Sequence, residues 1–459
     1  MGYARDIVFQ AVQKICCPAM IEPILVQAWA HWRGQSPKSI QVRPNLIYYR
    51  PGDRARVVTD VIVTLADETA PITLQFFFNV FADGAAVNQQ VAESDQLAVP
   101  PQVALPVFAI EAWQTVVWTL PHAPCLPELN NLLQPEYFCP LLISLSDLPT
   151  QVEDYPAPQL FRYVPFKRAI LTWHSPKTDR RYFVKLCTEA EFPQVVDHFR
   201  QLHQIADRLS FAVPEVVAAD VATRTVSMRA LPGEQFTKIM AQLRPATFSQ
   251  VGQILAELHH ADLMPTRGWS AAKELKTAGK AMAEVKLALP HLSKAIDQAI
   301  GELTAKAGQI VFSRNYPIHA NLFGDQILYT PQRLGMVDWD TLSLGDPHYD
   351  LGRLVAHLIY LAGCNQWERP AVKACITALL ASYAAAIDWA IDPTCLAWHI
   401  TLQLLLRGKI SSLRKLPEHW PEHLEFVVAE AQCLLLGRSE FVTLPAIGRQ
   451  VQPQVQPQS

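Results

Sequence analysis

One stretch in the second half of the chain carries residue types that a phosphate-transfer site needs. Such a site places a proton-accepting or positioning carboxylate near the acceptor hydroxyl and an amide ligand for Mg²⁺ five residues further on. A second carboxylate holds the metal, and a cation meets the phosphates. Here His319 opens the stretch, Asn321 and Gln326 take the first two positions, "LGMVDWD" ends its apolar part at Asp338, and Lys185 lies in "YFVKL" upstream. The pattern indicates phosphate-transfer chemistry with carboxamides at two catalytic positions.

Each of these residues also has a plain structural interpretation. Lys185 taken alone is typical of an exposed strand lysine, and Asp338 and Asp340 taken alone are typical of turn carboxylates. The apolar strand that ends at Asp338 favours a site role, and His319 is expected to brace the loop by hydrogen bonds. Asp325, beside Gln326, either supplies the missing carboxylate or is a solvated turn residue.

Neighbouring residues are expected to support the loop rather than to react. Asp350 in "GDPHYDLGRLVAHL" is placed to cap the helix that starts there. His259 and His260 follow a helix face and are expected to be packed or solvated rather than to bind a metal. The helical glutamate that would pair with the strand lysine is left open.

The elements that must position these residues can be read from periodicity. "EFPQVVDHFRQLHQIADRL" and "ATFSQVGQILAELHHADL" have apolar residues at helical spacing, and "TVSMRALPGEQF" is typical of a strand that ends in a Pro-Gly turn. From Trp367 to Leu436 the pattern predicts successive helices broken at prolines. A small strand-rich part followed by a large helical part predicts an α+β fold.

From Phe161 to Arg438 the chain resembles the aminoglycoside phosphotransferase and choline kinase family of protein-kinase-like folds. Where that family has H-G-D-x-x-x-x-N, this chain reads H-A-N-L-F-G-D-Q. The resemblance implies a small β-rich lobe and a large helical lobe, with Mg-ATP bound between them and phosphate transferred to a small-molecule hydroxyl. It also implies roles for single residues: His319 and the substituted base position Asn321 in catalysis, Lys185 and Met228 in cofactor binding, and Asp338, Gln326 and Asp325 at the metal.

Two functions fit these departures from the family pattern. The first is a protein that binds Mg-ATP with impaired or absent phosphate transfer, because a carboxamide accepts no proton. The alternative is an active ATP-dependent small-molecule phosphotransferase with an unusual catalytic loop. The partner is then a nucleotide together with a small molecule or protein that the sequence does not identify.

The N-terminal part contains a segment whose sequence is similar to the start of the small lobe. "YRPGDRARVV" (Tyr49 to Val58) aligns with "YVPFKRAILT" (Tyr163 to Thr172), and a second strand-like run follows each. At the position of Lys185 the first copy has Asn79. We therefore predict a partial repeat of the small-lobe hairpin, with chance similarity as the alternative.

The expected organisation is an N-terminal α+β domain, a small lobe, a helical large lobe and a disordered Gln- and Pro-rich tail, at residues 1–158, 159–237, 238–440 and 441–459. Composition limits the function classes further. The net charge of −3 gives no reason to expect a nucleic-acid partner, and the nine cysteines lack paired spacing, which favours a reducing cytoplasm. No apolar run is long enough to predict a membrane span, and the chain has none of the common P-loop, hydrolase-elbow or zinc-protease motifs.

Overall fold

The computed structural model describes residues 3–66, 70–94, 105–123, 126, 128–138, 156–164, 166–175, 178 and 180–442. Residues 443–459, which contain most of the predicted tail, lie outside this range, as does Pro165 of the repeated segment. Among the described residues no single helix is long and apolar enough to cross a membrane. Two helices near the N-terminus pass that test only as a pair, and they are bent by 76° where they meet.

The N-terminal part is a five-stranded antiparallel sheet with helices on it. Its strand order is β1-β2-β3-β5-β4. The strands are β1 (Ser39–Arg50), β2 (Arg54–Thr64), β3 (Ile72–Phe81), β4 (Phe108–Ile110) and β5 (Thr115–Thr119). The helices are α1 (Ile7–Ile15), α2 (Pro18–Arg33), α3 (Gly84–Ser94), α4 (Leu129–Leu132) and α5 (Pro135–Phe138).

The small lobe is a second five-stranded antiparallel sheet with a matching strand order, β6-β7-β8-β10-β9. A helix separates its third and fourth strands, as α3 does in the first sheet. The elements are β6 (Gln159–Val164), β7 (Arg168–His174), β8 (Arg181–Leu186), α6 (Phe192–Ile205), β9 (Val216–Asp220) and β10 (Thr225–Arg229).

The large lobe is mainly helical. A turn at Pro232–Gly233 leads into it; Gly233 has φ 113°, and a Cβ there would lie 2.7 Å from the Tyr329 carbonyl oxygen. The strands are β11 (Glu234–Gln235), β12 (Tyr316–Ile318), β13 (Ile327–Tyr329), β14 (Leu334–Met336) and β15 (Ser343–Gly345). The helices are α7 (Phe236–Ile239), α8 (Pro245–His260), α9 (Ala271–Ala288), α10 (Ser293–Ala307), α11 (His348–Gly363), α12 (Arg369–Ala386), α13 (Pro393–Gly408) and α14 (Trp420–Leu435).

The two sheets pair their strands in the same register. Tyr49 lies opposite Ala55 in the first sheet, as Tyr163 lies opposite Ala169 in the second. Asn79 of β3 faces a residue of β2, as Lys185 of β8 faces the aligned residue of β7. We propose that the sheets are two copies of one unit, because they share strand order and strand register in addition to the sequence similarity.

The first sheet is buried on both faces, which explains the apolar run Phe76–Phe78. Because side chains alternate along a strand, Phe76 and Phe78 point to one face and Phe77 to the other. Phe76 and Phe78 belong to the core that includes α1, α2 and the large lobe. Phe77 packs on Tyr163 of the second sheet, with ring centroids 6.2 Å apart.

Asn79 occupies the position of Lys185 without its charge. It is buried, lies on the same face of β3 as Phe77, and donates from Nδ2 to Gln90 Oε1 of α3 at 2.9 Å. The strand and the helix are therefore joined by an uncharged pair.

Replacing Asn79 by lysine is expected to destabilise the protein strongly. The ammonium group would be buried next to Arg56, its cross-strand neighbour. An uncompensated buried charge costs about 3 kcal/mol or more. Urea unfolding of Asn79→Lys should show this loss relative to Asn79→Met, which has similar length and no charge. Equal stabilities of the two variants would contradict it.

Candidate functional site

Four charged side chains meet between the small lobe and the large lobe. Lys185 on β8 approaches Asp338 Oδ1 with its Nζ at 3.3 Å and also bonds to Asp340. Arg168 on β7 bonds to Asp340 and lies 3.9 Å from Asp338 Oδ1. Lys185 is only 3% exposed, so it is not a solvated strand lysine.

The sheet register explains how the two cations come together. Ile170 is the direct cross-strand partner of Lys185, and Arg168 lies two residues before Ile170 on the same strand face. Val226 of β10 is the partner on the other side, and Met228 lies two residues further along on that face. Lys185, Arg168 and Met228 therefore share the face that looks towards the loop after β14.

The charges of this cluster control its protonation. Burial alone would raise the pKa of Asp338, but Lys185 and Arg168 outweigh burial and lower that pKa to about 2. Burial opposes the charge of Arg168 as well, and the two aspartates still raise its pKa. Asp338 is therefore ionised and Arg168 charged at neutral pH.

The side chains of Asn321 and Gln326 are held by partners in the large lobe. Asn321 Oδ1 accepts a hydrogen bond from Arg353 Nη2 at 2.8 Å. Gln326 Oε1 accepts from the backbone N–H of Phe323 at 2.9 Å, so its oxygen is used within its own loop. The backbone of Gln326 accepts from the N–H of Val337, which places the loop beside Asp338.

Asp350 fixes the start of this loop, and the expectation that it caps its helix is wrong. It lies in the first turn of α11, is fully buried, and accepts from the N–H groups of His319 at 2.7 Å and Ala320 at 2.9 Å. Asp346 instead accepts from the N–H of His348 at the helix start. Burial opposes the charge of Asp350, and the hydrogen bond with His259 helps to keep its pKa lowered.

The remaining predicted residues occupy supporting positions. His319 Nε2 lies 3.0 Å from the Val337 carbonyl oxygen, which ties the loop to the strand end before Asp338. His259 is buried against Tyr383 and Asp350, with ring nitrogen distances of 2.7 and 3.4 Å. Asp325 is exposed and accepts from the Thr237 hydroxyl.

The helix partner of the strand lysine, left open by the sequence, is not a glutamate among the described residues. Lys185 pairs with Asp338 and Asp340, both on the loop after β14. Glu191 lies 3.5 Å from Lys167, and Gln201 bonds to Asp197 and to the backbone of Met264. The carboxylates of the large lobe thus neutralise the lysine directly.

Sequence reasoning missed Arg353 and the role of Arg168. The sequence alignment pairs Arg168 with Arg54 and gives Arg168 no role in the site. Arg168 nevertheless lies two residues before Ile170 and therefore on the strand face of Lys185. Arg353 lies three residues after Asp350 on α11, a spacing that places both on one helix side. Its contact with Asn321 depends on how the loop folds back, which periodicity does not show.

These side chains have the chemistry that a magnesium-bound nucleotide requires. Carboxylate oxygens suit Mg²⁺, and Asp338 retains 27% of its side-chain surface exposed beside Asp340. Lys185 and Arg168 are cations of the kind that hold phosphate oxygens. Gln326 fits less well, because its side-chain oxygen is already used by Phe323.

Comparison with known proteins identifies the class. Residues 170–398 match the model described as "Phosphotransferase enzyme family". This part of the chain, which carries Lys185, the catalytic-type loop and Asp338, therefore belongs to that phosphotransferase family. No curated protein matches the chain.

Several solved structures are similar to this chain. A choline/ethanolamine kinase family protein from Mesorhizobium loti has 14% identity and a TM-score of 0.43, over 65% of this chain and 94% of that one. A choline kinase from Streptococcus pneumoniae has 14% identity and a TM-score of 0.42, over 62% and 94%. A macrolide 2'-phosphotransferase from Brachybacterium faecium has 17% identity and a TM-score of 0.41, over 59% and 91%.

The predicted family and fold class are confirmed. The family match begins within β7 of the small lobe and extends into α13 of the large lobe. The described elements form a β-rich small lobe and a helical large lobe, preceded by an N-terminal sheet with helices. The fold is therefore α+β and protein-kinase-like.

The lowered pKa of Asp338 predicts a loss of stability in acid. Because the folded pKa of about 2 lies below the unfolded value of about 3.9, the carboxylate stabilises the fold above the unfolded pKa and loses this effect as pH falls towards 2. Between pH 5 and pH 2 the wild type should lose about 2 kcal/mol more than Asp338→Asn. Urea unfolding across that range measures it, and parallel pH curves for the two proteins would contradict it.

Proposed function

We propose that this protein binds a magnesium-bound nucleoside triphosphate, ATP, between its lobes with impaired or absent transfer of phosphate to a small-molecule hydroxyl. The observation that carries this proposal is the hydrogen bond from Arg353 Nη2 to Asn321 Oδ1. The residue at the base position is a carboxamide, and its one acceptor oxygen faces a guanidinium group. It can neither take a proton nor turn freely towards a hydroxyl.

The size of the expected defect follows from the chemistry. Positioned acid–base catalysis contributes about 10²- to 10⁴-fold. Phosphoryl transfer depends mostly on positioning and on neutralising charge, so loss of the base slows the reaction without removing these contributions. The contact of Gln326 with Phe323 adds a second defect, because the amide oxygen would have to leave that bond to reach a metal.

The charged cluster supports nucleotide binding. Lys185 and Arg168 would hold phosphate oxygens, Asp338 and Asp340 would hold Mg²⁺, and Met228 would lie along the same sheet face as Lys185. A metal ion held by these carboxylates would supply positive charge close to the phosphates. The side chains of this protein would orient the nucleotide and exclude water from it.

The alternative function is an active ATP-dependent phosphotransferase with an unusual loop. Asp325 favours it, since this carboxylate lies next to Gln326 on the loop and is exposed. Its bond with the Thr237 hydroxyl directs it towards α7, which counts against that role. The first function is therefore the better supported.

A cytoplasmic location is part of the proposal. The seven cysteines that the structure describes form no disulfide. Free thiols of this kind suit a reducing compartment.

Nucleotide binding is tested by thermal unfolding. Millimolar Mg-ATP should raise the melting temperature, because a ligand of the native state stabilises it by mass action. Lys185→Met should shrink that shift, whereas Lys373→Met on the surface of α12 should leave it unchanged. The absence of a shift with any nucleoside triphosphate, with and without Mg²⁺, would overturn the site.

Restoring the family residues tests the catalytic defect. Asn321→Asp together with Gln326→Asn should raise basal ATP hydrolysis, with water as acceptor, by up to about 10²-fold. The gain is smaller if the restored groups are misaligned by an ångström. Phosphate release is the readout, and the single variants separate the two contributions. Brisk phosphate transfer by the wild type to a small hydroxyl compound would establish the alternative function instead.

A further inference from the structure

Two arginines flank one aromatic ring of the catalytic-type loop. The guanidinium carbon of Arg353 on α11 lies 4.2 Å from the ring centroid of Phe323, and that of Arg407 on α13 lies 4.5 Å from it. Both side chains are partly buried, and the Nε atom of each is shielded from solvent without a hydrogen-bond partner. Two positive charges are thus concentrated around Phe323, two residues after Asn321.

Neither guanidinium group has a carboxylate partner among the residues that the structure describes. Arg353 donates only to neutral oxygens, at Tyr349, Gln403 and Asn321. Arg407 has one side-chain hydrogen-bond contact among the described residues, between Nη2 and His357 Nε2 at 2.9 Å. Shielded arginines are normally paired with anions, because desolvation of a charge is costly.

The histidine is a poor partner for Arg407. Burial lowers the pKa of His357 well below its usual value, so the imidazole is neutral and accepts at one nitrogen only. The N–H of Gly324 already points at Nδ1 from 3.2 Å. Burial also lowers the pKa of Arg407 to about 10, which is the effect of a charge without sufficient compensation.

The surrounding charges do not balance the two arginines. Glu274 of α9 interacts electrostatically with Arg353; burial raises the pKa of its carboxyl, and Arg353 and the Tyr349 hydroxyl oppose that shift. Asp325 on the loop is exposed, and its negative charge raises the pKa of Arg407 without cancelling the effect of burial. Lys415 adds another cation beside Arg407, and Arg162 of the small lobe acts on Lys415 from β6. Cations outnumber carboxylates around this corner of the cleft.

We propose that Arg407 and Arg353, with Lys415, form a binding site for an oxyanion, and that the small-molecule acceptor bound at this loop carries a phosphate or carboxylate group. Planar guanidinium groups bind both oxyanions with paired hydrogen bonds. Arg353 also bonds to the residue at the base position, so an anion held here keeps the rest of its molecule near the place of the acceptor hydroxyl. The acceptor role rests on the proposed function; the binding of the anion does not.

The test compares four small hydroxyl compounds of different charge. Glycerol 3-phosphate and glycerate carry the two oxyanions, glycerol is neutral and choline is a cation. Thermal unfolding and calorimetric titration at constant ionic strength, without nucleotide, should show binding of one or both anions and no binding of glycerol or choline. Binding of only the first anion assigns a phosphate ligand, and binding of only the second assigns a carboxylate ligand.

Variants locate the site. Arg407→Met should weaken anion binding by at least about tenfold, which is the effect expected on losing a charge-assisted hydrogen bond. The same variant should raise the melting temperature without ligand, since it removes a poorly compensated charge. Lys373→Met is the matched surface control and should change neither value.

Three outcomes overturn the inference: binding of neither anion, equal binding of glycerol or choline, or unchanged anion binding in Arg407→Met. The third outcome together with loss of anion binding in Lys185→Met would assign the anion to the phosphate-binding cations instead. Titrating the same variants with ATP distinguishes the nucleotide site at Lys185 from the anion site at Arg407. If the wild type binds the anion but does not bind ATP, the proposed function is contradicted and the inference of an anion site is not.

Discussion

The contact of Lys185 and Arg168 with Asp338 and Asp340 is the interaction on which the relation of the two lobes depends. The cations come from neighbouring strands of the small lobe, and the carboxylates come from one turn of the large lobe. Because these side chains are largely shielded from solvent, the cost of desolvating each charge offsets much of the attraction within each pair. Removing any one member leaves a shielded charge without its partner, which costs more than the pair contributes. Asp350, His319 and the backbone of Gln326 all serve to place the two aspartates opposite the cations.

The same cluster sets a condition on ligand binding. A magnesium-bound triphosphate offers anions to Lys185 and Arg168 and a cation to Asp338 and Asp340, so it can replace the internal pairs only by an exchange. The internal contacts have then to be given up as the ligand contacts form, and the observed affinity is the difference between the two. The balanced charge of the cluster contrasts with the excess of cations at Arg353 and Arg407, where an anion would compete only with neutral hydrogen-bond partners and would displace no carboxylate among the described residues.

The sequence was sufficient for the elements and for the order of the charged residues. Apolar alternation located the strand of Lys185 and the strand end at Asp338, and helical spacing located α6, α8 and the later helices, because both signals are local. The prediction that Asp350 caps α11 is wrong because Asp350 lies inside the first turn and not at the N-cap position, and its side chain accepts from the loop of His319 instead. The sequence could not show that Arg353 holds Asn321 or that aspartates rather than a helical glutamate neutralise Lys185, because both contacts join residues far apart in the chain.

The N-terminal sheet explains why one copy of the repeated unit could lose its charge. Phe77 and Asn79 lie on the face of β3 that corresponds to the Lys185 face of β8, and in the first sheet this face is covered by Tyr163 and Phe166 of the second. A lysine there would be desolvated with no aspartates opposite it, so the uncharged Asn79–Gln90 pair is the stable solution. The opposite face and α1 reach the large lobe, where the N–H of Tyr49 donates to the Arg414 carbonyl at 3.0 Å and Tyr3 packs on Trp420. Because the N-terminal unit packs on both lobes, opening the cleft would move it against at least one of them. Its apolar contacts therefore stabilise the closed arrangement, as the charged cluster does.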